Sequence, residues 1–168
     1  TRWQVTRQPP SRQNAGLLAE LRLAPVERTE ARSPDGTRIT GFIVKPLGYV
    51  AGRKYPTILR IHGGPTSQFA FTFSFEWQLL AANGYVVVAA NPRGSTGRGE
   101  DFSKAIFADW GNLDAQDVIA HVDLAIANGI ADPARLGVGG WSYGGMLTNY
   151  VIAQDSRFKA ATSGASIS

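Results

Sequence analysis

A chain of 168 residues, 43% apolar and 18% charged, is long enough for one domain with a packed core and has the make-up of an ordinary globular protein. It has no cysteine, which removes disulfides, thiolate catalysis and cysteine-held metals. The formal charge of +4 comes from scattered arginines rather than a Lys/Arg run or a basic amphipathic helix, so neither nucleic acid nor membrane is the expected partner. The longest apolar stretches, such as Gly84–Ala90, are too short to span a bilayer. The chain begins at Thr1 with no visible leader, which leaves the compartment open, as it leaves the oligomeric state.

Residues 1–25 begin rich in Arg, Gln and Pro and continue into a short patch, Leu17, Leu18, Leu21 and Leu23. They read as a linker or the tail of a preceding domain, with the main domain over 26–168. Val26–Arg32 and Arg38–Lys45 flank Ser33-Pro34-Asp35-Gly36, whose Asp-Gly pair predicts a hairpin. Ile39 and Ile43 are expected on one face of its second strand, Phe42 and Val44 on the other. Thr57–Ile61 and Tyr85–Ala90 are continuous β-branched runs, the pattern of strands buried on both faces of a parallel sheet. Between them Glu76–Asn83 reads as a helix stopped at Asn83-Gly84, and Asp101–Phe107 as another. Ala115–Asn128 is the clearest helix, with Ala115, Val118, Ile119, Val122, Ala125 and Ile126 on one stripe. His121 lies off that stripe and is expected to face solvent. Arg135–Gly139 reads as a third buried strand, Tyr143–Ala153 as a helix and Phe158–Thr162 as the opening of a fourth strand. Strands alternating with helices predict an α/β fold with a mostly parallel sheet covered on both faces.

Gly140-Trp141-Ser142-Tyr143-Gly144-Gly145 fits G-x-S-x-G at a strand-to-helix turn, where the α/β-hydrolase fold lifts its nucleophile off the sheet. Small residues two before and two after Ser142 let strand and helix approach. The Ser142 hydroxyl then stands at a helix N-terminus, with the Tyr143 main-chain N–H aimed at a developing oxyanion. A dinucleotide-binding loop would need glycine at position 142, and no phosphate-binding loop is present, so no cofactor or metal is expected. His62-Gly63-Gly64-Pro65 follows the buried strand ending at Ile61, the place for the second half of an oxyanion hole, assigned to Gly64. His62 precedes the nucleophile, whereas this fold runs Ser, acid, His, so it is expected to brace the loop rather than act as base. In the glycine-punctuated loop Asn91–Glu100, Arg93 and Arg98 are candidates for a substrate carboxylate and equally for ties between loop and backbone.

From about Glu27 onward these motifs, in this order and spacing, resemble the prolyl oligopeptidase family of serine peptidases: His62–Pro65, Asn91–Gly97, Trp110-Gly111 with Asp114 and Asp117, and Gly140–Gly145. The resemblance implies a peptidase that cuts short peptides, with Ser142 as nucleophile, oxyanion N–H groups from Gly64 and Tyr143, and a β-propeller ahead of the catalytic domain. It also implies a triad Asp and His, which this chain does not supply: no histidine follows Ser142, and Asp155 is too close along the helix exit to serve. The chain is therefore expected to be the nucleophile-bearing part of such a domain, truncated after the nucleophile helix and the strand behind it, and inactive alone. An esterase on the same fold, or a non-catalytic interaction module, are the alternatives.

Overall fold

The computed structural model describes residues 13–167. Residues 1–12 of the expected linker lie outside that range. The first helix, α1 (Ala15–Glu20), has no buried residue. The chain then meets the body at Ala24, whose N–H and C=O bond the side-chain amide of Gln78 at 2.7 and 3.0 Å.

Strands β1 (Val26–Arg32) and β2 (Arg38–Val44) form the expected hairpin, in register from Val26 opposite Val44 to Arg32 opposite Arg38. Its turn is closed by Gly36 N–H to Ser33 O at 2.8 Å and Thr37 N–H to the Asp35 carboxylate at 2.9 Å. Gly36 sits at φ 88°, where only glycine is unstrained. The continuous apolar runs become β3 (Tyr55–Ile61) and β4 (Val86–Asn91), and every residue of β4 is buried. β5 (Ala131–Trp141) begins earlier than its apolar run, because Tyr55 and Ala131 pair across a register shift before the regular ladder starts at Thr57 and Leu136. β6 is Phe158–Gly164. The sheet has six strands in the order β1-β2-β4-β3-β5-β6, with β4-β3-β5-β6 parallel and the hairpin antiparallel on one flank.

The two-residue period of β2 and β4 sorts the core onto two faces. Ile39, Ile43, Val86 and Val88 pack with α4 (Leu113–Ala127) and α5 (Tyr143–Gln154) on one side. Phe42, Val44, Val87 and Ala89 pack with Trp77 and Ala81 of α2 (Phe75–Ala82) on the other. The sheet is thus covered on both faces, as the α/β-hydrolase fold requires. The short α3 (Glu100–Lys104) stops before Phe107, and the chain turns through Ala108 at φ 56°.

One expectation is corrected. His121 is fully buried, not solvent-facing. The apolar stripe of α4 marks only the part of the helix lying under the parallel strands. The hairpin covers a second side, and Gly41 of β2 leaves room for the imidazole: a Cβ there would stand 2.6 Å from His121 Cδ2.

Candidate active site

β5 gives way to α5 across a single residue, Ser142. Its φ of 58° and ψ of −125° put a side chain where glycine is normally needed, a strain of about 1–3 kcal/mol held by the surroundings. Main-chain bonds do the holding. Ser142 N–H donates to Gly164 O at 2.9 Å, and Ser142 C=O accepts from Gly145 and Met146 N–H at 2.9 and 3.0 Å. The glycines around it are there for close approach. A Cβ on Gly140 would lie 2.8 Å from Gly144 Cα, one on Gly144 2.8 Å from His62 O, and one on Gly145 2.5 Å from Gly164 O. The result is an exposed Ser142 whose hydroxyl makes no capping bond to its own helix.

Tyr143 is the first residue of α5, where a main-chain N–H has no partner within the helix and the helix dipole is positive. Its side chain turns inward, and its hydroxyl donates to Asp114 at 2.5 Å. Asp114, fully buried at the start of α4, also accepts from Gly111 and Ala115 N–H at 2.8 and 3.0 Å. Burial raises the Asp114 pKa against the opposing pull of these bonds, and burial with the Asp114 charge pushes Tyr143 above the ordinary phenol value. The phenol therefore stays a protonated donor. Trp110 stands edge-on to the Tyr143 ring at 5.3 Å. Nucleophile turn, Trp110-Gly111 segment and α4 are thereby one unit.

The His62–Pro65 loop lies against this turn: a Cβ on Gly63 would be 3.5 Å from Ser142 Cβ and 3.2 Å from Trp141 O. Gly64 sits at φ 125°, a conformation a side chain rarely adopts. His62 braces the loop. Since a carbonyl only accepts, the proton is on Nδ1 and donates to Gly63 O at 2.7 Å, and Nε2 accepts from the Ser95 hydroxyl at 2.9 Å. Burial lowers the His62 pKa, partly offset by the Gly63 bond, so the ring is neutral with both nitrogens engaged.

The two arginines occupy different settings. Arg93 is buried and wrapped by acceptors: its N–H, Nε and Nη2 donate to the Asp117 carboxylate at 2.7–3.0 Å, Nη2 to Ser33 Oγ at 3.1 Å, and Nη1 to Asp35. Arg98 is exposed, donates to Arg38 O and lies over the Phe102 ring at 4.3 Å. The structure gives Asp114, Asp117, Ser95 and Trp110 roles that periodicity did not bring out. A signal existed: Asp114, Asp117 and His121 recur at i, i+3 and i+7 beside the apolar stripe of α4, and all three are fully buried. At the Pro65 end of the glycine loop, a cleft of about 430 Å³ is walled by Pro65, Ile106, Phe107 and Trp110, with Glu100 and Lys104 at its edge. Among the described residues no group of three or more His, Asp or Glu could hold a metal, and no helix is long and apolar enough to cross a membrane.

The sequence profile of the prolyl oligopeptidase family matches residues 71–168. The chain is 42% identical over 156 residues to YuxL of Bacillus subtilis, described as an uncharacterized peptidase, covering 92% of this chain and 24% of that one. It is 31% identical over 151 residues to dipeptidyl-peptidase 5 of Porphyromonas gingivalis, covering 88% and 22%. Among solved structures, a Pyrococcus horikoshii acylaminoacyl peptidase superposes with a TM-score of 0.90 at 32% identity, over 99% of this chain and 27% of that one. The chain thus spans about a quarter of the length of these relatives. With an exposed serine at a strained strand-to-helix turn, a glycine loop against it and both comparisons in agreement, the chain belongs to the prolyl oligopeptidase family of serine hydrolases.

Proposed function

We propose that this chain is the nucleophile-bearing part of a serine peptidase that cuts short peptides through an acyl-enzyme. The observation that carries the reading is Ser142 itself: exposed, held at φ 58°, and packed beside the His62–Pro65 loop. In the reaction Ser142 Oγ attacks the scissile carbonyl. The Gly64 and Tyr143 main-chain N–H groups hold the oxyanion of the tetrahedral intermediate, which collapses to acyl-Ser142 and a free amine. Water then releases the acid. An apolar side chain flanking the scissile bond fits the Pro65, Phe107 and Trp110 cleft. Residues 1–25 are then the exit of a preceding propeller-like domain. Arg93, by its bonds to Asp117 and Asp35, sets the shape of the loop rather than touching substrate.

The proton of Ser142 needs a base that these residues do not offer. His62 has both nitrogens engaged and His121 is shut away behind β2. The acid and base are assigned to segments outside the 168 residues. In the full-length protein a fluorophosphonate probe labels Ser142, and Ser142→Ala abolishes labelling; labelling that survives the substitution overturns the assignment. The same placement supports a second reading, in which the isolated chain has no turnover, the loss of triad partners removing about 10⁴-fold or more of the rate. A fluorogenic dipeptide assay on the 168-residue chain reads this, and ordinary enzyme rates there would refute it. Esters cleaved in the full-length protein with peptides left intact would shift the assignment to an esterase.

A further inference from the structure

A second cleft, of about 370 Å³, opens between the β1–β2 hairpin and the loop after β4, on the α2 side of the sheet. Alternation along the strands puts Arg28 and Glu30 of β1 and Arg38 and Phe42 of β2 on that one face, with Arg28 directly opposite Phe42. Arg98 enters from the loop and Phe71 from the segment before α2. Glu30 accepts both arms of Arg38, at 2.7 and 2.8 Å, and neutralises it. Among the described residues, Arg28 and Arg98 make no ion pair, so the cleft keeps two uncompensated guanidinium groups. Arg98 is also pre-positioned, since one Nη donates to Arg38 O and its guanidinium carbon stands 4.3 Å from the centre of the Phe102 ring. A guanidinium fixed in this way offers its remaining N–H edge to a two-oxygen anion with little further ordering. Beside these cations Phe71 is 64% exposed, edge-on to Phe42 with ring centroids 5.1 Å apart. A large aromatic surface left in water next to two guanidinium groups without a carboxylate partner is the make-up of a site with one anion-binding and one apolar recognition element.

We propose that this cleft binds a two-oxygen anion, a carboxylate or phosphate, borne on a molecule with an aromatic or bulky apolar group. The anion lies between Arg28 and Arg98, and the ring lies on Phe71. Nothing in this assignment depends on the chemistry of Ser142, so it stands or falls separately from the peptidase reading. Two sources supply such a group: a small free acid, or the C-terminal end of a peptide.

The test is a calorimetric or NMR titration of the full-length protein, as its Ser142→Ala variant so that no ligand is consumed, with N-acetylphenylalanine, its amide, phenyl phosphate and inorganic phosphate. The acid and phenyl phosphate bind saturably, and the amide is at least about tenfold weaker, the worth of a charge-assisted hydrogen bond. Arg28→Gln and Arg98→Gln each weaken the acid by a similar factor, and Arg135→Gln, outside the cleft, leaves it unchanged. Phe71→Ala weakens the ring-bearing anions and spares inorganic phosphate. A tetrapeptide ending in phenylalanine that binds more tightly than N-acetylphenylalanine identifies a peptide end as the source, and equal or weaker binding identifies a free acid. The proposal is overturned by no saturable binding of either ring-bearing anion up to about 10 mM, by equal affinity for acid and amide, or by parent-like affinity in both arginine variants with native circular dichroism.

Discussion

The two histidines sit on opposite flanks of β4 and show two ways of burying an imidazole. On the nucleophile side, His62 has a partner at each nitrogen and ties the Gly63 carbonyl to Ser95, so its burial fixes a loop. On the hairpin side, His121 is fully buried; among the described residues its Nε2 has no partner and its Nδ1 makes only a long 3.5 Å contact to Asp117 O. The first ring is held by directional bonds. The second is held by shape, in a notch that exists because residue 41 has no side chain. The lesson is that equal burial of one residue type conceals unlike energetics. The His62 region loses hydrogen bonds when disturbed, whereas the hairpin region loses fit, and it already carries the cost of a polar atom left without a partner.

The largest test of this contrast is Gly41→Ala. The new methyl group would meet the His121 ring on one side and stand 2.5 Å from the Ala89 carbonyl on the other, where neither strand can yield. A loss of about 3 kcal/mol or more is expected from the shift of a denaturation midpoint. A cost near zero would show that the notch is loose. Next comes acid. Burial pushes His121 down to about 4 from 6.5. Its folded value lies below its unfolded one, so the native state binds fewer protons. Its contribution is complete above about pH 6.5 and drains away as the pH falls towards 4, about 3 kcal/mol at most. His121→Leu keeps the packing, removes the orphan nitrogen and flattens that acid limb, with stability at pH 7 within about 1 kcal/mol of the parent. An unchanged acid limb would assign it to other groups, His62 first among them, since burial also lowers its value.

On the nucleophile side, His62→Ala leaves the Gly63 carbonyl and the buried Ser95 hydroxyl unsatisfied, at about 2 kcal/mol. It also slows fluorophosphonate labelling of Ser142 in the full-length protein. Stability lost with labelling intact would mean the loop does not depend on the ring. The smallest expected effect runs the other way. Ser142→Gly releases the strain at φ 58° and raises stability by about 1 kcal/mol while removing the nucleophile. A destabilised variant would show that the serine side chain stabilises the turn it occupies.

Much of the frame was legible in the sequence because its signals are local. The Asp-Gly turn, the β-branched runs and the Asn83-Gly84 stop each became the element expected, and the even spacing of Ile39 and Ile43 against Phe42 and Val44 sorted them onto opposite faces. The glycines around Ser142 were legible for the same reason, since steric demand two residues either side shows in a short motif. What was hidden depends on contacts far apart in the chain. The burial of His121 is decided by Gly41, eighty positions earlier in the sequence. The setting of Arg93 is decided by Asp35 and Asp117, one on the hairpin turn and one on α4. Element ends moved where pairing outran composition, as with β5, which starts at Ala131 because Tyr55 offers it a partner.

Along one side of α4, Asp114 grips the tyrosine after the nucleophile, Asp117 grips the arginine of the loop after β4, and His121 leans on β2. A rod fastened at these stations transmits a tilt from any one of them to the others. Random mutagenesis scored for serine reactivity should therefore return distant hits strung along this rod, and second-site revertants of a damaged hairpin should map to its opposite end.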